Sequence, residues 1–151
     1  MLKIGDKAPV FQGTDKDGET ISLKDFAGKK VILYFYPKDS TPGCTAEACS
    51  LRDGYTELKK KGFEVVGVSP DSGASHQKFA DKNDLRFPLI ADTDKTIAQA
   101  YGVWGLKKFM GREYMGILRT TFIIDENGTI EKIFTKVNTK NHFEQIADSY
   151  K

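Results

Sequence analysis

The sequence predicts one α/β domain, built on a central mixed β-sheet with helices on both faces. Two continuous apolar runs, Lys30 to Tyr36 and Phe63 to Ser69, are typical of strands buried on both sides. A third signal is the tight turn at Glu126-Asn127-Gly128, which joins Arg119–Asp125 to Thr129–Phe134 as an antiparallel hairpin. With 151 residues, of which 39% are hydrophobic, the chain suits a single core.

The first 29 residues are predicted to form an N-terminal extension to this domain. Asp17-Gly18 is a strong hairpin signal between short strands near Val10-Phe11 and Thr20–Ser22. Leu23 to Phe26 follows as a helical turn that ends at Gly28. None of these residues indicates a chemical role.

A helix is predicted directly after the first buried strand. Thr41 is a good N-cap, and Pro42 suits the first helical position, where a missing N–H costs nothing. The inward stripe of this helix has steps of four, three, four and three residues: Cys44, Ala48, Leu51, Tyr55 and Leu58. Cys44 therefore lies in the first helical turn.

The rest of the chain continues the alternation of strands and helices. Gly62 ends the first helix, and a second is expected from about Ser72 to Asn83. The βαβ order predicts parallel pairing with a right-handed crossover. The later elements are an edge strand at Phe87–Ile90, a short helix from Asp94 to Tyr101, and a final helix capped by Asn138 or Thr139 and ending at Ser149.

Residues 103–116 are interrupted by glycines and predict a long loop. Its apolar residues, Trp104, Phe109, Met110 and Met115, are expected to pack as a satellite of the core, with a partner site as the alternative. His76 and His142 lie among polar residues and are expected at the surface.

Both cysteines of the chain fall in the predicted first helix. Cys44 sits near the positive end of the helix dipole, among N–H groups without intrahelical partners, and both features favour the thiolate. Cys49 lies five residues on, about 7.5 Å along the axis and about 140° around it, so the two sulfurs can bond only if the helix start unwinds. We therefore expect Cys44 to attack and Cys49 to resolve; a buried structural thiol and an incidental surface thiol are the alternatives.

The spacing Pro37-x-x-x-Thr41-x-x-Cys44 resembles the active-site signature of the peroxiredoxins. The segment from Cys44 to Cys49 is similar to the branch called PrxQ or bacterioferritin comigratory protein. The similarity extends from Gly5–Pro9 to Arg119–Asp125. It implies a thioredoxin-like fold and the reduction of hydrogen peroxide and organic hydroperoxides.

The resemblance also implies a role for each site residue. Cys44 becomes a sulfenic acid, Cys49 forms a disulfide with it, and a thioredoxin-like dithiol reduces that disulfide. Thr41 and Arg119 hold the peroxide and stabilise the leaving oxygen, and Pro37 shields the thiolate from water. No metal, flavin or haem is expected. Glu47 suits the helix dipole, but its charge would oppose the thiolate unless it is paired, which argues against a catalytic role.

Two other classes of function remain open from the sequence. A thioredoxin-like disulfide reductase shares the expected fold but normally needs Cys-x-x-Cys, whereas four residues separate Cys44 and Cys49. A redox-sensing or interaction module whose cysteines oxidise slowly is the second alternative. Zinc is disfavoured because the Cys-x-x-x-x-Cys spacing has no chelating histidines or carboxylates nearby.

Composition and charge limit the partners of the chain. A net charge of +2 gives no basis for binding nucleic acid or an anionic membrane. The N-terminus has no apolar h-region, and no stretch approaches the length of a membrane span. We expect a cytoplasmic protein. Because a resolving cysteine in the same chain needs no second subunit, we also expect a monomer.

Overall fold

The computed structural model describes residues 2–151. In chain order, its strands and helices are β1 Gln12–Thr14, β2 Thr20–Ser22, β3 Lys30–Phe35, α1 Pro42–Asp53, α2 Tyr55–Lys60, β4 Phe63–Ser69, α3 Gly73–Asn83, β5 Leu89–Ala91, α4 Thr96–Ala100, β6 Trp104–Phe109, β7 Arg112–Ile117, β8 Thr120–Ile124, β9 Ile130–Phe134 and α5 His142–Asp148. A 3₁₀ turn, Leu23–Phe26, follows β2. The predicted mixed α/β architecture is confirmed.

The central sheet has five strands in the order β5-β4-β3-β8-β9. The β3–β4 and β4–β5 pairs are parallel, and the β3–β8 and β8–β9 pairs are antiparallel. Strand β3 is central because its side chains are apolar on both faces, and every residue from Val31 to Tyr36 is buried. The segment that follows β3 and leads into α1, residues 36–41, therefore starts from the most constrained strand of the sheet.

Alternate residues of β3 contribute to two separate cores. Val31, Leu33 and Phe35 belong to the cluster that also contains residues of α4, whereas Ile32 and Tyr34 belong to the cluster that contains Cys44 and other residues of α1. Because side chains of a strand alternate between faces, this pattern places helices on both sides of one sheet. Cys44 thus lies on the face occupied by α1, α3 and α5.

The N-terminal hairpin is present, but its first strand lies later in the chain than predicted. β1 begins at Gln12 rather than near Val10-Phe11, and it pairs with β2 in an antiparallel register. Phe11 instead enters the core, and Val10 is exposed. The turn uses Gly18 at φ +80°, a conformation that favours glycine.

The first helix differs from its prediction in two details. It is interrupted at Gly54, where an added Cβ would overlap the ring of Phe143 on α5. Thr41 occupies the N-cap position, but its Oγ1 donates a hydrogen bond to the Lys38 carbonyl at 2.8 Å and makes no capping bond. The predicted inward stripe is otherwise correct, since Cys44, Leu51 and the rest of the stripe are buried or half-buried.

The prediction of a long loop at residues 103–116 was wrong. β6 and β7 form a two-stranded antiparallel hairpin. Its turn is Met110-Gly111, with φ of +51° and +79°, and two consecutive positive φ angles are typical of a tight hairpin turn. Phe109, Met110 and Met115 are exposed instead of packing as a satellite core, and Trp104 is half-buried against the core.

Both histidines are buried, so their predicted surface positions were wrong. His76 lies on α3 with Phe79 and Ala80, which share its inward face. His142 begins α5, one turn before the buried Ile146. The final helix also starts later than predicted, with Asn141 at its N-cap position, and ends at Asp148. The outcome is that two titratable rings lie in the protein interior.

Gly54 provides a test of how α1 packs against α5. Replacing Gly54 with alanine should lower the free energy of unfolding by about 1–3 kcal/mol, because the new methyl group must displace the Phe143 ring. Urea unfolding of the reduced protein measures this change. Gly73→Ala is the matched control, since its added Cβ would have Asp15 O as nearest neighbour at 3.8 Å, an ordinary contact. Equal midpoints for the two variants would contradict this packing.

Candidate active site

Cys44 occupies the first turn of α1 and is buried, with 1% of its surface exposed. The chain leaves β3, passes through residues 36–41 and enters α1 at Pro42. The N–H groups of the first turn have no carbonyl partner within the helix, and they give this end a partial positive charge. Cys44 and Cys49 are both free thiols. The fold therefore presents Cys44 as a reduced thiol at the N-terminal end of a helix.

Arg119 lies directly against the Cys44 sulfur. Its Nη2 donates a hydrogen bond to Sγ at 3.2 Å. The register of the sheet explains this contact, because Thr120 at the start of β8 pairs with Phe35 at the end of β3. Arg119, one residue earlier, thereby reaches the first turn of α1. A Cβ added to Gly43 would lie 3.4 Å from Nη2, so a small residue there leaves room for the guanidinium.

Glu47 lies one turn after Cys44 and binds the same guanidinium. Arg119 Nη1 donates to Glu47 Oε1 at 2.6 Å, and the Glu47 side chain is fully buried. Burial raises the pKa of Glu47 to about 7, although the charge and hydrogen bond of Arg119 act in the opposite direction. One cation therefore contacts two acidic groups, Cys44 and Glu47.

The second oxygen of Glu47 faces a neutral histidine. Within residues 2–151, Glu47 Oε2 has no hydrogen-bond partner, and it lies 3.6 Å from His142 Nε2. His142 Nδ1 is 2.9 Å from Gln145 Oε1, an acceptor, so Nδ1 carries the proton and Nε2 accepts from Thr121 Oγ1 at 2.8 Å. Burial lowers the pKa of His142 to about 4, and Arg119 adds to this effect against the Gln145 hydrogen bond. This environment offers no donor to Oε2, which favours the protonated carboxyl group.

Thr41 and Pro37 lie in the segment between β3 and α1. The Thr41 hydroxyl donates to the Lys38 carbonyl, and no hydrogen bond joins it to the Cys44 sulfur. Pro37 is half-buried directly after Tyr36. The structure thus brings Cys44 and Arg119 into contact and places Thr41 and Pro37 on the adjoining loop.

Cys49 occupies the later part of the same unbroken helix, α1. Its Sγ is 3.7 Å from Asn83 Oδ1 at the end of α3, and the residue is half-buried. The Arg52 guanidinium also donates to the Asn83 carbonyl at 2.8 Å. Cys49 therefore packs toward α3, and α1 has the helical form expected of two reduced cysteines.

A groove of about 530 Å³ opens beside Arg119. Most of its wall is apolar, and the residues that line it include Tyr101, Val103, Leu118, Phe122 and Ile133. Lys107 lies at the same groove and donates to the Ile117 carbonyl at 3.0 Å. Burial and the Arg119 charge lower the pKa of Lys107, while Cys44 acts against them. The groove therefore combines an apolar wall with two basic side chains.

Comparisons with known proteins agree with this geometry. Residues 4–133 match the AhpC/TSA family. The chain is 48% identical to peroxiredoxin Bcp of Escherichia coli, over 97% of this chain and 94% of that protein. It is 45% identical to peroxiredoxin Bcp of Bacillus subtilis, over 99% and 96% of the two chains.

The chain belongs to the AhpC/TSA family. Among solved structures, this peroxiredoxin is similar to a PrxQ variant of Xylella fastidiosa, with a TM-score of 0.93, 28% identity and coverage of 99% of this chain and 96% of that one. A bacterioferritin comigratory protein of Xanthomonas campestris gives a TM-score of 0.87, with 31% identity and coverage of 95% and 96%. The thioredoxin-like fold and the thiol-dependent peroxidase activity inferred from the sequence are confirmed.

Sequence reasoning missed part of the surroundings of Cys44. It argued against a catalytic role for Glu47, although the spacing of three residues from Cys44 puts both in successive turns on nearby faces. It also placed His142 at the surface, although the four-residue step to Ile146 indicates a shared inward face. No local pattern connects Glu47 to Arg119, because that contact joins positions 72 residues apart.

The raised pKa of the buried Glu47 predicts how the stability of the protein depends on pH. Because its pKa is raised from 4.5 to about 7, the folded state holds a proton that the unfolded state releases between these values. Its stabilising contribution is complete below about pH 4.5 and is lost as pH rises through 7. The stability of the wild type relative to Glu47→Gln should therefore fall by up to about 3 kcal/mol over this range.

Urea unfolding of both reduced proteins at a series of pH values measures this difference. His142 has the opposite effect, since its lowered pKa stabilises the fold above pH 6.5 and this contribution is lost as pH falls through about 4. Both proteins contain His142, so its contribution cancels in the difference. A difference that stays constant from pH 4.5 to 7.5 would show that Glu47 titrates normally.

Proposed function

We propose that Cys44 is the residue that reduces the peroxide, acting on hydrogen peroxide and organic hydroperoxides. The observation that carries this proposal is the 3.2 Å contact between Arg119 Nη2 and Cys44 Sγ at the start of α1. The guanidinium contacts the sulfur and can also donate to an oxygen that develops charge. Burial lowers the pKa of Arg119, but Cys44 and Glu47 raise it to above its usual value, so the group stays cationic.

In the first step, the Cys44 thiolate attacks the terminal oxygen of the peroxide. A sulfur–oxygen bond forms, the O–O bond breaks with its electron pair on the leaving oxygen, and Cys44 becomes a sulfenic acid. The leaving hydroxide or alkoxide takes a proton to give water or an alcohol. Arg119, Thr41 and the first-turn N–H groups stabilise this oxygen, and Thr41 must turn its hydroxyl away from the Lys38 carbonyl to do so. Pro37 limits the access of water.

In the second step, Cys49 attacks the sulfenic sulfur and releases water, which leaves a disulfide. Because Cys49 packs toward Asn83 on α3, the first turns of α1 must unwind before the sulfurs meet. The later part of the helix is anchored, since Phe143 N donates to Ser50 Oγ at 3.0 Å. Unwinding is thereby confined to residues 42–49, the segment that contains both cysteines. A thioredoxin-like dithiol then supplies two electrons and restores both thiols.

The apolar groove beside Arg119 supports organic hydroperoxides as substrates. An alkyl chain that follows Leu118, Phe122 and Ile133 would bring its peroxide group to the guanidinium. The bacterioferritin comigratory protein of Xanthomonas campestris, similar in structure, was studied for alkyl peroxide reduction. These observations favour an enzyme that also accepts substrates larger than hydrogen peroxide.

We further propose that the protein is a single domain, a monomer and cytoplasmic. The two core clusters share the strands of one sheet, which supports one folding unit. Resolution within one chain requires no second subunit, and two free thiols in the catalytic cycle suit a reducing compartment. In residues 2–151, no helix combines the length and apolar character needed to cross a membrane.

The cysteine variants test the two thiol roles separately. Cys44→Ser should abolish peroxide turnover. Cys49→Ser should consume about one equivalent of peroxide per chain at the wild-type rate and then stop, because the sulfenic acid has no resolving thiol. Stopped-flow measurement of peroxide consumption, with and without thioredoxin, distinguishes these outcomes.

Wild-type turnover by Cys49→Ser would disprove the resolving role while leaving that of Cys44 intact. Insulin reduction by the wild type without peroxide consumption would instead indicate a disulfide reductase. If neither reaction occurs at a useful rate, the cysteines act as a slow redox sensor. Fast peroxide consumption is the result that the geometry predicts.

A further inference from the structure

A buried polar network lies under the loop that leads to Cys44, and the catalytic steps above do not use it. Its centre is the pair Asp39 and His76, which are both buried and contact each other through Oδ2 and Nδ1 at 2.7 Å. Asp39 lies on the loop between β3 and α1, and His76 lies in the first part of α3. The pair therefore connects the active-site loop to a helix on the same face of the sheet.

The side chain of Asp39 has a hydrogen-bond partner at each oxygen. Tyr36 donates its hydroxyl to Oδ1 at 2.7 Å, and Ser75 donates to Oδ2 at 2.8 Å. Burial by itself would raise the pKa of Asp39, but its hydrogen bonds, led by that from His76, hold it below the usual value. Asp39 is thus a carboxylate that accepts hydrogen bonds from the loop and from α3.

The two ring nitrogens of His76 both face oxygen atoms. Nε2 lies 2.9 Å from the Ile90 carbonyl, which can only accept, so Nε2 carries a proton. Nδ1 lies 2.7 Å from Asp39 Oδ2, so the imidazole links β5 to the loop. A metal ion is a poorer fit, because these nitrogen and oxygen atoms already bond to each other.

The backbone of the loop is also anchored at Asp39. Asp39 N donates to Asp71 Oδ2 at 2.7 Å, and Ser69 Oγ donates to the same oxygen at 2.6 Å. The next residue, Ser40, has φ +64°, a left-handed conformation that is unfavourable for a residue with a side chain. Such a conformation persists only where its surroundings enforce it. Asp39 is the anchored residue directly before it, and Thr41 is the residue directly after it.

We propose that Asp39 and His76 are a positioning pair that sets the place of Thr41 and Pro37 over the Cys44 sulfur. The pair does not touch the peroxide. It anchors the loop to α3 and enforces the left-handed backbone conformation of Ser40. The pair thereby fixes where the Thr41 hydroxyl can meet a bound substrate. This inference rests on the proposed roles of Thr41 and Pro37 at Cys44.

Two substitutions separate the hydrogen bonds from the charge. Asp39→Ala removes every bond to the carboxylate and should slow peroxide attack at least tenfold. Asp39→Asn keeps the network, because the amide can donate to Nδ1 of a neutral His76 and its oxygen can still accept from Tyr36. Asp39→Asn should therefore retain a rate within about threefold of the wild type, since the lost charge is not what places the loop.

The experiment compares the reaction of Cys44 with peroxide and its reaction with iodoacetamide, a reagent that needs no positioned loop. Rate constants of Cys44 in the Cys49→Ser background are measured for hydrogen peroxide and for iodoacetamide, together with the thiol pKa. In Asp39→Ala, the peroxide rate should fall while the alkylation rate and thiol pKa stay near those of the parent. Asp125→Ala is the matched control: it removes two backbone hydrogen bonds in the β8–β9 turn and should leave both rates unchanged.

Different failures have different meanings in this experiment. An unchanged peroxide rate in Asp39→Ala overturns the positioning role while the parent still demonstrates the peroxidase. Equal losses for peroxide and iodoacetamide also overturn it, since they would indicate general disruption around Cys44. If Asp39→Ala fails to fold, His76→Leu and His76→Asn replace it: only the asparagine keeps a donor to Asp39 and should restore the peroxide rate. Absence of peroxide reduction in the parent would refute the proposed function itself.

Discussion

The contact between the Arg119 guanidinium and the Cys44 sulfur is the interaction on which the site depends. Residues 75 positions apart meet because β8 pairs with β3 and begins where β3 ends. The helix start supplies N–H groups on one side of the sulfur, and the guanidinium supplies a fixed cation on the other. Sheet register and helix direction together place a guanidinium against the sulfur at the start of α1.

The same guanidinium also limits how much negative charge the site can hold. Arg119 contacts both Cys44 and the buried Glu47, and burial raises the pKa of Glu47 to about 7. Cys44 and Glu47 therefore share one cation. Glu47 therefore does not simply oppose the thiolate, as its sequence position alone indicates. In its protonated form, Glu47 does not compete with Cys44 for the positive charge of Arg119.

The sequence was sufficient for features that depend on local patterns. The apolar run through β3, the proline at the start of α1 and the turn before β9 identified the sheet and the position of Cys44, and the peroxiredoxin resemblance identified Arg119. The β6–β7 hairpin was missed because glycines interrupt its strands and because its turn has a positive φ at Met110, which composition does not reveal. The buried histidines were missed because polar neighbours in sequence concealed partners distant in the chain, such as Asp39 for His76.

The most direct test of this account is the reaction of Arg119→Ala with peroxide, with the Cys44 thiol pKa measured on the same protein. If the guanidinium stabilises the leaving oxygen as well as the thiolate, the rate constant corrected for thiolate fraction should fall by about 10²–10³. Arg112→Ala, on the exposed hairpin, is the control for loss of a positive charge and should react like the wild type. A corrected rate constant equal to that of the wild type would contradict the account, because Arg119 would then act on the thiol pKa alone.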